Sequence, residues 1–105
     1  MWVSAFRRGR RPASVGCVQS FLVETYQPAA GDAEYRAVVS RLRAAAKALT
    51  REGAPVTYRR SIFVPLDETC FHLLEAVSSD AVAEAARRAE IRAPRVVESI
   101  EGENR

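Results

Sequence analysis

Two segments with a helical apolar period, each flanked by short runs of β-branched and aromatic residues, narrow this chain to a small set of folds. In the first helical segment Tyr35, Val38, Val39, Leu42, Ala45, Ala46 and Leu49 share one face, while Arg36, Ser40, Arg43, Lys47 and Arg51 share the other. Asp32 is placed to cap its start, and Gly53 and Pro55 stop it. The second helical segment starts at Ser78-Ser79-Asp80, and its Val82, Ala85, Ala86 and Ala89 make a narrow face of small residues. Strand patterns occupy Gln19–Tyr26, Val56–Val64, Thr69–Ala76 and Arg95–Ile100. A turn at Pro65-Leu66-Asp67-Glu68 joins the middle two into a hairpin.

The order is therefore βαββαβ. Right-handed crossovers then predict an α+β ferredoxin-like domain: a four-stranded antiparallel sheet in the order 4-1-3-2, with both helices on one face. The other sheet face is left for water, a ligand or a second subunit. The domain is expected to span residues 18–101, with 102–105 as a frayed end.

Charge separates the chain into two parts. The 105 residues carry 16 Lys and Arg against 13 Asp and Glu, a formal charge of +3. Residues 1–17 hold Arg7, Arg8, Arg10 and Arg11 and no acid. Without them 12 bases face 13 acids, so the remainder stands at −1. The basicity belongs to the tail and argues against a nucleic-acid surface on the fold. The tail has no periodicity and reads as disordered, with Val18 as a plausible translation start. A basic arm for nucleic acid or anionic lipid is the other reading of it. No apolar run approaches the ~20 residues of a membrane helix. Two cysteines, Cys17 and Cys70, are too few for a disulfide framework, which points to a cytoplasmic protein.

Strict alternation along the strands divides the side chains between two faces. Phe21, Val23, Tyr58, Ile62, Val64, Cys70, His72, Leu74, Val96 and Ile100 form the more apolar set, expected beneath the helices. Leu22, Glu24, Tyr26, Arg59, Ser61, Phe63, Phe71, Leu73, Glu75, Val97 and Ser99 form the open face. Glu24 and Glu75 lie on that face as candidates for general acid and base, or as hard metal ligands. An ion pair with Arg59 is the structural reading of the same residues. Arg59, Ser61 and Phe71 complete the candidate ligand-binding set. His72 and Cys70, two apart on one strand face, are candidate ligands for a borderline metal, or else a hydrogen-bonded core pair. The stripe Arg36, Arg43, Lys47, Arg51 suits phosphate or a solvated helix face. Tyr26, Tyr58 and Phe71 suit stacking or core packing. No Gly-rich phosphate loop, C-x-x-C or zinc spacing is present.

The stretches FLVETYQP (21–28) and FVPLDETCFHLLEA (63–76), with the Ala/Arg helix around 41–49 and SSDAVAEAARRA in the second helix, resemble the DUF4242 family of small ferredoxin-like bacterial proteins. The resemblance covers residues 19–100. It implies a homodimer through the open sheet face and, from a nickel-binding member, a divalent metal such as nickel. Those members carry histidines near the end of the second helix, where this chain has Arg88-Ala89-Glu90-Ile91-Arg92. The expected function is a dimeric domain binding a small molecule or metal ion on the open face. The alternative is a cofactor-free α/β-barrel enzyme, an oxygenase or isomerase, working through Glu24 and Glu75.

Overall fold

The computed structural model describes residues 18–100. The expected tail and the frayed end lie outside the described residues. Strand β1 (Gln19–Tyr26) leads to helix α1 (Asp32–Arg51) and strand β2 (Val56–Val64). A 3₁₀ turn, Pro65–Asp67, joins β2 to β3 (Thr69–Ala76); helix α2 (Ser79–Arg88) and strand β4 (Arg95–Ser99) follow. The sheet order is β2-β3-β1-β4 with antiparallel neighbours throughout. This is the expected order 4-1-3-2 read from the opposite edge, and the α+β ferredoxin-like arrangement is present.

Each helix boundary has a local cause. Gly31, not Asp32, occupies the cap of α1 and makes no side-chain cap bond. Asp32 is instead the first helical residue, where its charge meets the positive end of the helix dipole. At the other end Gly53 takes φ 100°, and the Ala54 amide donates to the Leu49 carbonyl, closing the helix in a glycine turn. Ser78 caps α2, its hydroxyl accepting from the Ala81 amide at 3.3 Å. Glu90 ends α2 with φ 62°, and the Ile91 amide reaches back to the Ala86 carbonyl. Among the described residues no helix is long and apolar enough to cross a membrane.

One continuous core lies between the helices and one face of the sheet. Val38, Leu42, Ala45 and Leu49 from α1 meet Val82, Ala85 and Ala86 from α2 over Phe21, Val23 and Leu74. Small residues let α2 approach the sheet closely, because an alanine holds the helix axis only a methyl group away. The helices are also tied to one another. Arg41 donates through Nε to the Ala89 carbonyl at 2.8 Å, and Arg88 forks between Glu84 and Glu52.

The strand alternation holds in β1 and β3 and breaks in β2. Tyr58 stands opposite Leu74, yet Arg60 stands opposite Leu73, so Arg59 is an extra residue in a β-bulge. Because side chains alternate with period two, one inserted residue swaps the faces of everything after it. Ser61 and Phe63, expected on the open face, lie on the helix side with Cys70 and His72. Ile62 and Val64, expected beneath the helices, lie on the open face, where Ile62 is 56% exposed. Strand β4 stops at Ser99, so Ile100 is exposed and packs in no layer.

Candidate functional site

The open sheet face is apolar at its centre and ionic at its ends. Leu22 of β1 pairs with Leu73 of β3 and Val97 of β4, and Phe71 pairs with Ile62 across β2. Leu22, Leu73, Val97 and Phe71 are only half-buried. Glu24 stands opposite Phe71 and Arg95 at one end, and Glu75 stands opposite Ser20 and Thr57 at the other.

Glu24 and Glu75 therefore share a face but not a site. Four residues of β1 separate their positions, roughly 13 Å at about 3.3 Å per residue. Each carboxylate has its own guanidinium: Glu24 pairs with Arg95 at 3.0 Å, and Glu75 with Arg59 at 3.9 Å. No single reacting atom can lie within hydrogen-bond reach of both acids in this chain. The expected acid–base pair is corrected on this ground. Both glutamates lie near the C-terminal ends of their strands, β1 and β3, and antiparallel pairing sends like ends apart.

At the Glu24 end the sheet borders a depression of about 310 Å³ lined by Glu24, Tyr26, Glu68, Arg92, Ala93 and Arg95. Two of these, Glu68 and Ala93, hold left-handed backbone at φ 48° and 44° without being glycine. Such conformations cost ~1–3 kcal/mol each and persist where the surroundings impose them. Glu68 is held by four contacts, the first its own amide donating to the Pro65 carbonyl at 3.0 Å. Its carboxylate accepts from the Tyr26 hydroxyl at 3.4 Å and the Ala29 amide at 3.1 Å, and its carbonyl accepts from the Gln27 amide at 2.8 Å. Phe71 and Arg59, the remaining candidates, sit at the centre and at the far rim of the face.

A second polar constellation lies on the helix side. The bulge delivers the Ser61 hydroxyl to the hydroxyl of Tyr35 on α1, and Phe63 stacks on the Tyr35 ring at 5.3 Å. One turn of pleat away, the Tyr58 hydroxyl meets Nδ1 of His72 at 2.8 Å. His72 and Cys70 are both 0% exposed. Burial penalises the imidazolium and lowers the His72 pKa to about 4, so the ring is neutral near pH 7. Burial likewise raises Tyr58 to about 12 and Cys70 to about 11. Among the described residues, Nε2 of His72 has no hydrogen-bond partner. Ser61, expected among the ligand-binding residues of the open face, thus lies on the helix side instead, and Tyr35 was read only as helix core.

His72 and Cys70 do not suit a resident metal ion. They supply two donors, and among the described residues no three His, Cys, Asp or Glu side chains converge. The Cys70 thiol is held protonated by its surroundings, whereas metal ligation needs a thiolate. Both side chains point beneath the helices, so a two-fold axis at the open face would not bring a second pair to them.

No protein-family model, curated protein or solved structure matches the chain.

Proposed function

We propose that this chain is a homodimeric ligand-binding domain. Two copies close their open sheet faces together, and a small polar molecule is held at the Glu24 end of that face. The observation that carries the reading is the pattern of the face itself: an apolar centre of Leu22, Phe71, Leu73, Ile62 and Val97 with an ionic pair at each end. An interface between two copies related by a two-fold axis must complement itself. A face with one carboxylate and one guanidinium at either end meets this need, because each end can offer an acid to a base and a base to an acid. The apolar centre supplies the driving force. The resemblance of the strand-one and strand-three motifs to the DUF4242 proteins supports the same assembly.

The ligand half of the proposal rests on the depression between β1, the β2–β3 turn and the segment before β4. It gathers Glu24, Arg92 and Arg95 beside two residues whose backbones are strained. A small molecule with hydrogen-bond donors and acceptors suits it better than an apolar one.

The test has two arms. Analytical ultracentrifugation should find a dimer for the native chain and a folded monomer for Leu73→Arg, which sets a charge in the centre of the face. A native chain that is monomeric throughout the accessible concentration range removes the dimer. A thermal-shift panel of small polar metabolites should raise the melting temperature with at least one compound, and Glu24→Gln should abolish that shift. A panel without any shift removes the ligand.

A further inference from the structure

Away from the open face, a groove of about 420 Å³ runs between α1 and the edge strand β2. Arg43, Lys47 and Arg51 line its helix wall, Thr57 and Tyr58 its strand wall, and Ala46 and Val56 are also among its lining residues. The three cations are spaced by four residues, so they stand in a row over ~12 Å of helix. All three are exposed. The other arginines of the ion-pair network, Arg59, Arg87, Arg88 and Arg95, each meet a carboxylate within 4 Å. Among the described residues, Arg43, Lys47 and Arg51 meet none at that range. Like charges at this spacing repel one another along a helix. The row is therefore a surface of concentrated positive charge, with Glu52 beside Arg51 acting on it only at longer range.

What distinguishes it from an ordinary solvated helix face is its built strand wall. The Arg43 guanidinium lies over the Tyr58 ring, 4.9 Å from its centroid. The Tyr58 hydroxyl is in turn anchored on Nδ1 of the fully buried His72. Ring and guanidinium are thus held in place before any ligand arrives, which lowers the ordering cost of binding.

We propose that this groove binds an organic anion: a phosphate ester or carboxylate borne on a flat apolar body. The anionic group lies along Arg43, Lys47 and Arg51. The body lies against Ala46, Val56 and the Tyr58 ring. The volume falls within the ~300–1,000 Å³ range of small-molecule sites. The site is separate from the sheet face assigned above and does not depend on that assignment.

The probe is 1-naphthyl phosphate, titrated into the full chain and followed by NMR chemical shifts. Neutral 1-naphthylmethanol and inorganic phosphate serve as the two half-ligands. Shifts should concentrate at Arg43, Lys47, Thr57 and Tyr58, and each half-ligand should bind at least about tenfold more weakly, since each lacks one of the two contacts. Lys47→Glu should weaken binding about tenfold or more, while Arg36→Glu makes the same charge change on the same helix outside the groove and should leave affinity within about twofold. Both positions are exposed, and circular dichroism checks that each variant is folded; Lys47→Gln replaces Lys47→Glu if the latter is not. Equal losses in the two variants would mean attraction by net charge alone and overturn the proposal. So would shifts centred on Leu22, Phe71 and Leu73, or the absence of any shift.

Discussion

The Tyr58 hydroxyl lies 2.8 Å from Nδ1 of His72, joining the edge strand β2 to its neighbour β3 inside the molecule. The bond partners one nitrogen of a fully buried imidazole and fixes the aromatic wall of the cationic groove. Tyr58→Phe keeps the ring and removes the bond. A buried polar atom left without a partner costs ~1–3 kcal/mol. The variant should therefore unfold at a lower urea midpoint with an unchanged slope. Equal midpoints for variant and native chain would show that the bond contributes no stability.

His72 gives the fold a defined sensitivity to acid. Its pKa is about 4 in the folded chain, against ~6.5 when unfolded. Between these values the unfolded state takes up the proton first, so folding opposes protonation. The contribution is complete above pH ~6.5 and is lost as the pH falls toward 4, on the order of 3 kcal/mol in total. Glu84 and Glu52, whose pKa values are lowered by Arg87 and Arg88, lose their contribution only at lower pH. Urea titrations between pH 7 and pH 5 isolate the histidine. His72→Gln should flatten the slope in that window, and an unchanged slope would assign the acid sensitivity elsewhere.

Arg59 is the extra residue in β2, and deleting it tests the bulge directly. Without Arg59, Tyr58 still faces Leu74 and Arg60 still faces Leu73, so every later side chain keeps its face. The deletion variant should fold, with its β2–β3 cross-strand contacts intact by NMR. Deleting Ile62 removes a paired residue instead, so either Phe63 leaves the Tyr35 ring or Tyr58 leaves the core. That variant should be far less stable. Equal damage from both deletions would contradict the bulge assignment.

The small face of α2 sets how close the helix lies to the sheet. Ala85, Ala86 and Ala89 are each 0% exposed. Ala85→Leu adds three heavy atoms where no space remains, and overpacking of this kind costs ~1–3 kcal/mol. Ala83→Leu, on the exposed side of the same helix, should change stability by less than about 0.5 kcal/mol. Thermal melts of the two variants distinguish close packing from a loosely seated helix.

Much of the architecture was legible because it follows from local chemistry. The apolar stripe from Val38 to Leu49, the Gly53–Pro55 stop and the Ser78 cap act within a few residues, and each lies where the sequence placed it. The buried face of β3, with Cys70, His72 and Leu74, follows from simple alternation. The cap at Asp32 was misplaced by one residue, since Gly31 and Asp32 both suit a helix start and only the backbone distinguishes them. The pairing of Glu24 with Glu75 failed for another reason. Residues on one face of neighbouring strands can still lie at opposite ends, and only the register gives their separation.

The sequence by itself determined the order of elements, the helical and strand periods, and the handedness that places both helices on one side. These rest on steric preferences of single residues and their near neighbours. The tertiary structure alone decided the register of β1 against β3 and the bulge at Arg59. It thereby decided which of Ser61, Ile62 and Phe63 face the helices. Those outcomes depend on the summed packing of many distant side chains, and a shift of one residue in a strand costs little locally while it reverses a whole face.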